Sequence, residues 1–377
     1  MRSDIRVLID GTAVPPQLGG VGRYLEGLVA GLGEAGQAVT VVVRAEHAEH
    51  FRSLGGDLRV VTAPSWTSST PLRLLWEQTG LPLLARRLRA DVLHSPHYTR
   101  PHLRRGARVV TLHDATFFSD PDRHGRLKRR FFTAWTTLAL RDARTICVVP
   151  SAATASELRR FVTGARAAVH VAHHGVDTSL FRPPTADEVA AALPALGLEP
   201  GQPWLAFLGT IEPRKNVALL LRAHRELRRR GVEVPDLLLA GGRGWDLEAA
   251  ALLDASSPSD GVHELGYLPL ETLPVLLGGA ELVVYPSTAE GFGLPVLEAM
   301  ATGACVLTTR STAIPEVGGE AVAYVETTVE ALVAELESLL ADVPRRRELG
   351  LRGRERAATF TWRRTAETHV TAYEAAR

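Results

Sequence analysis

The chain has 377 residues, more than one hydrophobic core usually holds, so its length predicts two domains. With 45% apolar and 23% charged residues and no low-complexity tract, the composition excludes a disordered chain, and apolar runs such as Leu237–Ala240 are far shorter than the ~18 residues of a membrane span. The net charge of +1 is the sum of a basic part and an acidic part. Residues 1–180 hold 24 Lys and Arg and 15 Asp and Glu, whereas residues 181–377 hold 19 Lys and Arg and 27 Asp and Glu. The basic part favours anionic or membrane-surface partners, with an ordinary solvated surface as the alternative.

The first half of the chain alternates short apolar runs with amphipathic stretches. The amphipathic stretches include Val21–Leu32 and Leu127–Leu140, which predict helices. The apolar runs predict strands at Val7–Ile9, Val39–Val43, Val60–Val61, Val92–Leu93, Val109–Leu112, Ile146–Val149 and Val169–Val171.

The second half repeats this alternation. Its predicted helices include Asn216–Arg230, and its predicted strands are Leu205–Leu208, Leu237–Leu239, Leu282–Tyr285 and Cys305–Leu307. Continuous apolar strands that alternate with helices are typical of parallel sheets covered on both faces. We therefore predict an α/β protein of two Rossmann-like, doubly wound domains that face each other across a cleft, where the ligands of such sheets bind.

The predicted joint lies in FRPPTADEV, where Pro183 and Pro184 interrupt the pattern. This gives an N-terminal domain over residues 1–183 and a C-terminal domain over residues 184–360. Residues 361–377 form one further amphipathic helix.

The compartment is predicted from the cysteines and the first residues. Cys147 and Cys305 stand apart in apolar surroundings and lack the paired spacing of a zinc site, so they predict buried thiols in a reducing compartment. The start, MRSDIRVLID, runs directly into the first predicted strand and leaves no room for a signal peptide. We expect a cytoplasmic protein.

Four loops that follow predicted strands carry glycines or functional side chains. The first, Gln17–Tyr24, opens a helix, and the backbone N–H groups of Gly20 and Gly22 can hold a phosphate or a hydroxyl there. A dinucleotide-binding fingerprint is the competing interpretation. It is disfavoured because Leu25 replaces its third glycine and Arg44, not an acidic residue, follows the second strand.

The second loop is Thr111–Ala115, in which His113 follows a strand. A histidine at a strand end can donate to a sugar hydroxyl or take part in proton transfer. If His113 stood alone, a histidine that merely pairs with the surroundings of Asp114 would be the preferred interpretation.

The third loop, Gly209–Asn216, places Arg214 beside Lys215 at a predicted helix start. Arg supplies a planar fork and Lys a compact charge, and this pair, unpaired in the local sequence, suits a diphosphate. A solvated helix start is the alternative. Cations there oppose the helix dipole, and that local cost favours a functional role.

The fourth loop begins EGFGLPVLEAMATG, residues Glu290–Gly303. Pro295 suits the first residue of a helix, which places Glu298 in the first turn and Glu290 in the loop before it. The two carboxylates can accept hydrogen bonds from two sets of hydroxyls while the N–H groups of Gly291–Gly293 face the ligand, and a diphosphate with a sugar at each end has that layout. A capping Glu beside a surface Glu would explain Glu298 but neither Glu290 nor the glycines.

Seven segments spread over nearly the whole chain carry a family resemblance. They are GGVGRY, TLHDATF, VPSAATASEL, HHGVDTSLFRP, LGTIEPRKNVALLLRA, the stretch from GYLPLETLPVLL to EAMATGACV, and IPEVGGEAV. The specific part is EPRKN followed by the two glutamates. With this ordered set the chain resembles the retaining family 4 glycosyltransferases of the GT-B fold, and its EPRKN form is most similar to bacterial mannosyltransferases of polysaccharide assembly.

The resemblance implies four catalytic residues. Arg214 and Lys215 would bind the donor diphosphate and stabilise the leaving group, a task given elsewhere to a metal. Glu290 would bind hydroxyls of the transferred sugar, and His113 would lie beside that sugar. No metal and no other cofactor are implied.

The resemblance also implies that residues 1–183 form the acceptor side and that residues 184–360 form the donor side, with a donor site. Glu298 would hold the ribose, and Tyr267 and Leu268 would border the base. The other implied donor-binding positions are Gly20, Gly22, Gly209, Gly291, Phe292, Gly293 and Leu294. The helix after Trp362 would cross back onto the first domain.

The implied reaction moves a hexose from a nucleotide-diphospho-sugar to a glycan, a lipid-linked or a small-molecule acceptor, with retention at the anomeric carbon. GDP-mannose is the favoured donor; a UDP-dependent glucosyl- or N-acetylglucosaminyltransferase is the alternative. Two places depart from this pattern or compete with it. His174 stands where many relatives have Asn before Gly175, and Asp120-Pro121-Asp122 has the form of a metal-binding DxD motif, which we assign to a loop because this fold does not normally use one.

Three other functions are weighed against this one. A phosphorylase of the same fold would use phosphate or a sugar phosphate. A catalytically inactive nucleotide-sugar-binding partner is disfavoured by the intact Arg214, Lys215, Glu290 and Glu298. Nucleic-acid binding is disfavoured because the basic part has no aromatic-interleaved basic motif.

The basic segment Arg126–Arg130 precedes Phe131, Phe132 and Trp135. Together they can lie on an anionic membrane that carries a lipid-linked acceptor. The favoured interpretation of the three aromatic residues is that they are core contacts of a buried helix face.

Overall fold

The structure is a computed structural model that describes residues 5–15, 19–55, 57–102, 106–121 and 125–377. The chain forms two compact units. Unit 1 comprises Met1–Gly175 and Phe360–Arg377, and unit 2 comprises Val176–Thr359.

Unit 1 is built on a parallel sheet. Its described strands number seven, in the order β3-β2-β1-β4-β5-β6-β7. They are β1 Val7–Asp10, β2 Val39–Val43, β3 Leu58–Thr62, β4 Val92–Ser95, β5 Ala107–Thr111, β6 Thr145–Val149 and β7 Ala168–Val171. The order reverses between β1 and β4, which is the topological switch point of a doubly wound sheet.

Helices cover this sheet and bury its apolar side chains. The helices of unit 1 are α1 Gly20–Glu34, α2 Ala45–Ser53, α3 Thr70–Gln78, α4 Gly80–Arg87, α5 Thr116–Ser119, α6 Arg126–Arg141, α7 Ala152–Phe161 and α16 Trp362–Ala376. The last helix packs on α1, where Gly27 and Gly31 let Trp362 approach closely: a Cβ on Gly31 would lie 2.2 Å from the Trp362 carbonyl oxygen.

Unit 2 repeats the architecture. Its described strands form a parallel sheet in the order β10-β9-β8-β11-β12-β13. They are β8 Trp204–Leu208, β9 Asp236–Ala240, β10 Val262–Gly266, β11 Leu282–Tyr285, β12 Val306–Thr308 and β13 Ala323–Tyr324. The switch point here lies between β8 and β11.

The helices of unit 2 begin and end where the sequence provides the local signals. They are α8 Ala186–Leu196, α9 Val217–Arg229, α10 Leu247–Asp254, α11 Leu273–Gly278, α12 Leu294–Ala301, α13 Ile314–Gly318, α14 Val329–Ala341 and α15 Val343–Ala357. At α8, Thr185 and Glu188 form a reciprocal capping box, and Gly197 ends the helix in the left-handed conformation.

The predicted fold class is confirmed in its two parallel α/β sheets, and every predicted strand is present. The sequence missed β10 and β13. Cys147 and Cys305 are buried free thiols, as expected, and burial raises the pKa of each to about 12. Among the described residues, the helices are all too short or too polar to cross a bilayer.

Candidate active site

The charged residues singled out in the sequence meet at the carboxyl edge of the unit 2 sheet. Since β8 and β11 are neighbours there, the loop after β8 (residues 209–216) lies beside the loop after β11 (residues 286–293). The loop after β12 (residues 309–313) adjoins the second of these. The site therefore forms at the switch point, where ligands of such sheets bind.

The loop after β8 turns Lys215 inward. Pro213–Lys215 forms one 3-10 turn, which Asn216 ends in the left-handed conformation at φ 57° before α9 begins. The side chain of Lys215 is 7% exposed and that of Arg214 is 23% exposed. The Arg214 carbonyl accepts from the Thr288 backbone N–H at 2.7 Å, which fixes this loop to its neighbour.

The Glu290 carboxylate lies at the centre of the cluster. Its Oε1 accepts from Lys215 Nζ at 2.6 Å, from Ser287 Oγ at 2.6 Å and from the Tyr285 hydroxyl at 3.1 Å. Its Oε2 pairs with Arg214 at 2.8 Å. Lys215 Nζ also bonds the Tyr285 hydroxyl. One carboxylate thus holds both of the predicted phosphate-binding cations.

The surroundings fix the charge of these groups. Burial alone would raise the pKa of Glu290, but Arg214 and Lys215 outweigh it and hold that pKa at about 2. Burial lowers the pKa of Lys215, with a further lowering from Arg214 that Glu290 opposes. Burial, together with the Glu290 charge, raises the pKa of the Tyr285 phenol well above its usual range, so Tyr285 remains a neutral donor.

The expectation that Arg214 and Lys215 are unpaired cations is wrong. Arg214 pairs with Glu212 at 2.5 Å as well as with Glu290, and Lys215 pairs with Glu290. Glu212 belongs to the same loop as Arg214, whereas Glu290 comes from the neighbouring loop, 75 positions after Lys215. The two cations and two carboxylates of this cluster carry a formal charge of zero.

Two threonines after β12 hold the Glu290 loop in place. The Thr312 hydroxyl accepts from the Glu290 backbone N–H at 2.7 Å and donates to the Glu290 carbonyl at 2.8 Å. Thr309 donates to the Ser287 carbonyl at 2.5 Å. Thr312 adopts a left-handed conformation at φ 48°, which is unusual for a β-branched residue and is often found at functional sites.

The glycine-rich turn ends at the start of α12. Gly293, at φ 99°, occupies the N-cap position without a side chain to cap the helix. Phe292 and Leu294 are buried. The helix begins at Leu294, so the expectation that Glu298 lies in the first turn is wrong: it lies one turn further, with 2% of its surface exposed.

The loops after β8, β9 and β10 form a second part of this edge. Gly209, at φ 152°, donates to the Ala240 carbonyl, and a Cβ on Gly241 would lie 2.2 Å from the Gly209 oxygen. Tyr267 is 59% exposed and lies over Gly242, where a Cβ would be 2.6 Å from its ring. Leu268 beside it is half-buried. Tyr267 is thus an accessible aromatic surface on the edge where the base was expected.

His113, Gly20 and Gly22 belong to unit 1. His113 is half-buried after β5, and its Nε2 donates to the Pro96 carbonyl at 2.7 Å, which leaves Nδ1 as an acceptor when the ring is neutral. Burial lowers its pKa. The alternative partner named above, Asp114, instead accepts from the backbone N–H and hydroxyl of Thr116.

Gly20 and Gly22 lie in the first turn of α1, with Gly19 as N-cap. Among the described residues, a Cβ on Gly20 would meet no atom within 4 Å, whereas Gly22 is buried. Gln17 and Leu18 of the same predicted loop lie outside the described residues.

Asp122 of the DxD motif also lies outside the described residues, whereas Asp120 follows α5. Within the described ranges, no group of three or more His, Cys, Asp or Glu side chains could hold a metal ion.

Behind His113, a chain of neutral hydrogen bonds joins α1, β4, β5 and α16. His369 Nδ1 donates to the Thr365 carbonyl, so its Nε2 accepts from the Tyr24 hydroxyl, at 2.8 Å. Tyr24 in turn accepts from Thr111 at 2.8 Å, Thr111 accepts from His94 at 2.9 Å, and His94 accepts from Tyr373 at 2.9 Å. The single direction of donation fixes both tautomers.

Two family models and a related protein are similar to this chain over most of its length. Residues 18–180 match the family model described as Glycosyltransferase Family 4, and residues 191–356 match the model described as Glycosyl transferases group 1. O-antigen chain mannosyltransferase B of Escherichia coli is 31% identical over 290 residues, which are 75% of this chain and 74% of that protein. The chain belongs to the family 4 glycosyltransferases. The resemblance seen in the sequence is thereby confirmed.

Solved structures confirm the GT-B fold of this family member. Sucrose-phosphate synthase from Thermosynechococcus elongatus superposes with a TM-score of 0.79 at 21% identity and covers 98% of both chains. HepE from Anabaena, solved in complex with UDP and glucose, gives a TM-score of 0.75 at 16% identity, with 97% of this chain and 98% of that chain covered.

Sequence reasoning for this family member missed four residues that shape the site. They are Glu212, Tyr285, Ser287 and Thr312, all in contact with Arg214, Lys215 or Glu290. Glu212 stands in the loop Gly209–Asn216 that was already singled out, and Ser287 lies three residues before Glu290. Nothing in the local sequence marked Tyr285 or Thr312.

Proposed function

We propose that this glycosyltransferase moves a hexose, with mannose favoured, from a nucleotide-diphospho-sugar to a hydroxyl acceptor with retention at the anomeric carbon. The observation that carries the proposal is the cluster of Arg214, Lys215 and Glu290 beside the glycine turn before α12. Cations that can neutralise a diphosphate lie next to a carboxylate that can hold sugar hydroxyls.

The proposed chemistry is mainly electrostatic. The bond from the anomeric carbon to the diphosphate breaks as the acceptor oxygen bonds to the same face of that carbon, and the acceptor proton passes to the leaving phosphate. Arg214 and Lys215 disperse the charge that grows on the leaving group, and Glu290 with the amides of Gly291–Gly293 fixes the sugar. In this role the two cations replace a metal ion, so turnover should persist in EDTA.

The remaining residues take supporting roles in the proposal. Glu298 holds the ribose, and Tyr267 and Leu268 border the base, with Gly209 giving close backbone approach. His113 acts as a neutral imidazole whose Nδ1 accepts from a hydroxyl. Gly20 and Gly22 present the start of α1 to an anion or a hydroxyl.

The choice of donor is supported from two sides. The similarity to an O-antigen chain mannosyltransferase favours mannose, and GDP-mannose is the proposed donor. The fold shared with HepE, solved with UDP and glucose, supports a UDP-sugar as the second candidate. The acceptor in either case is a hydroxyl of a glycan, a lipid-linked glycan or a small molecule.

A thermal-shift panel tests the donor site first. UDP, GDP and ADP are compared, then GDP-mannose, UDP-glucose and UDP-N-acetylglucosamine, and turnover of the binding donor is followed by NMR of the anomeric proton. Stabilisation by GDP and GDP-mannose with a retained anomer supports the proposal. A shift with UDP species alone moves the donor to the second candidate, and no shift with any nucleotide would contradict the donor site itself.

We also propose that the basic start of α6 contacts an anionic membrane. Leu127 is 85% exposed among exposed Arg126, Lys128 and Arg130, whereas Phe132 packs on the core against Phe117. The exposed set therefore provides an apolar anchor and cations for lipid headgroups. Sedimentation with phosphatidylglycerol vesicles at low salt should be lost in Leu127→Ser, and equal sedimentation with phosphatidylcholine vesicles would contradict the proposal.

A further inference from the structure

The Glu290 carboxylate occupies the cations that the donor must use. Four donors converge on it: Lys215, Tyr285 and Ser287 on Oε1, and Arg214 on Oε2. Carboxylate and phosphate oxygens accept charge-assisted hydrogen bonds from the same guanidinium and ammonium donors. Glu290 thus makes the contacts with Arg214 and Lys215 that a phosphate would make.

The charges of the cluster lead to the same conclusion. Glu212 and Glu290 cancel Arg214 and Lys215, so the cluster has no net attraction for a diphosphate. A diphosphate that binds these cations must displace a carboxylate from them, because two anions cannot share them at contact distance without repulsion. Glu290 pairs with both Arg214 and Lys215, so it is the carboxylate that a diphosphate must displace.

We propose that Glu290 is an internal competitor for the diphosphate and thereby selects the intact sugar nucleotide over the nucleoside diphosphate. This inference rests on the proposed function, since it assigns a selectivity to the same donor site. Glu290 then has two roles, as a ligand of the sugar in the bound state and as a ligand of Arg214 and Lys215 in the free state.

The selectivity follows from an exchange of partners. An intact donor brings phosphates for Arg214 and Lys215 and sugar hydroxyls that donate to Glu290, so every group regains a partner. A nucleoside diphosphate brings the phosphates without the hydroxyls. It leaves a buried carboxylate with only Tyr285 and Ser287 as donors, which is unfavourable.

The consequence for turnover is a built-in route to product release. Once the hexose has left, the donors to Glu290 have left with it. The carboxylate then competes again for Arg214 and Lys215 and weakens the hold on the nucleoside diphosphate. Its backbone, fixed by Thr312, keeps it within reach of both cations throughout.

Isothermal titration of the full chain with GDP, GDP-mannose, UDP and UDP-glucose tests this selectivity. In the wild type we expect the preferred sugar nucleotide to bind at least about tenfold more tightly than its diphosphate, the scale of one charge-assisted hydrogen bond. In Glu290→Gln the diphosphate should bind about tenfold more tightly than to the wild type, and the two affinities should become equal. A diphosphate affinity that is unchanged or lower in Glu290→Gln overturns the inference.

Glu298→Gln is the matched control from the same segment. Glu298 is proposed to hold the ribose, which the sugar nucleotide and the nucleoside diphosphate share. Glu298→Gln should therefore lower the affinity for both ligands by the same factor and leave the ratio of the two affinities unchanged. A ratio that falls as far in Glu298→Gln as in Glu290→Gln overturns the selectivity of Glu290. If circular dichroism shows that Glu290→Gln does not fold, Glu290→Asp takes its place, since it keeps the charge on a shorter side chain. Tighter diphosphate binding in Glu290→Asp supports the inference, and unchanged binding overturns it.

Failure of the inference is distinct from failure of the proposed function. A wild type that binds none of the four nucleotides contradicts the donor site. A wild type that binds a sugar nucleotide, together with a Glu290→Gln variant that binds the diphosphate no more tightly, contradicts the competition alone.

Discussion

The two sheets of this glycosyltransferase carry different chemistry at the same edge. At the carboxyl edge of unit 2, two carboxylates and two cations form a buried ionic cluster around Glu290. In unit 1, strands β4 and β5, which correspond to β11 and β12, carry a neutral chain of hydroxyls and imidazoles that runs from His369 to Tyr373. One fold thus supports an ionic site in one unit and a neutral network in the other.

The difference shows what each edge is built to do. Buried ion pairs stabilise a fold weakly because desolvation opposes them, but they keep charge in place for an anionic ligand. A neutral network in which every donor has an acceptor stabilises its surroundings and fixes one arrangement. Changes in the ionic cluster should therefore mainly affect ligands, whereas changes in the neutral network should mainly affect stability.

The largest expected effect is on transfer, in Lys215→Ala and Glu290→Ala. Each removes a group that stabilises the leaving diphosphate or the sugar, and the loss of one preorganised charge costs about 10²–10³ in rate. Initial rates with the donor identified by thermal shift measure this effect. Arg229→Ala, at the exposed end of α9 beside Glu226, is the control and should retain full transfer.

Wild-type turnover in either purified, folded variant would contradict the site. A loss of transfer accompanied by unfolding would instead place the ionic cluster among the stabilising elements of unit 2. That outcome would remove the distinction between the two edges.

The sequence predicted the central members of the ionic site but not their partners. Arg214, Lys215 and Glu290 were recognised from adjacent cations, a glycine turn and the family resemblance. Ser287 and Thr312 were not, because their role arises only when loops from neighbouring strands meet. Contacts between positions far apart in the chain depend on strand order, and strand order has no local signal in the sequence.

The fold was predictable wherever strands are buried on both faces. The two missed strands, β10 and β13, are the edges of the unit 2 sheet. β10 is half-buried and includes the polar residues His263 and Glu264, and β13 has two residues, so neither provides a continuous apolar run. The pairing of α16 with α1 likewise depends on tertiary packing at Gly27 and Gly31.

The next largest effect is an acid sensitivity of unit 1. Burial lowers the pKa of His369 to about 4 and those of His94 and His174 well below their usual value. Unfolded histidines protonate near pH 6.5, so unfolding takes up protons below that pH and the free energy of unfolding falls as the pH falls. Glu77 has the opposite effect on stability, because burial raises its pKa to about 7. Its carboxyl therefore takes up a proton in the folded state at a higher pH than in the unfolded state, which favours the folded state as the pH falls.

Burial also lowers the pKa of His97 to about 3 and lowers that of His113, and it raises the pKa values of Asp10 and Glu157. Because five histidines outnumber three carboxyls, we expect a net loss of stability as the pH falls from 6.5 to 5. Urea unfolding at several pH values measures it. The carboxylate of Glu290 stays ionised over this range, since its pKa is about 2. Stability that is constant or rises on acidification would show that the unit 1 network is not neutral.

A smaller effect is expected from Gly31→Ala in α1. The new Cβ would meet the Trp362 carbonyl at 2.2 Å, and because that atom is backbone, α16 must shift. We expect a destabilisation of about 2 kcal/mol, on the scale of overpacked cores. Gly33→Ala in the same helix meets no atom within 4 Å and should stabilise the protein by about 0.5–1 kcal/mol. Equal changes in thermal midpoint for the two variants would contradict the close packing of α16.

The smallest effect tests the neutral network itself, through Tyr24→Phe. The change leaves the His369 Nε2 acceptor and the Thr111 hydroxyl without the partner that lay at 2.8 Å from each. We expect a loss of about 1–2 kcal/mol, or roughly 2–6 °C in the thermal midpoint, with nucleotide affinity unchanged. Tyr267→Phe, which alters an exposed phenol, should leave the midpoint unchanged. If Tyr24→Phe instead weakens diphosphate binding without lowering the midpoint, the unit 1 network serves the ligand, and the division of roles between the two edges is wrong.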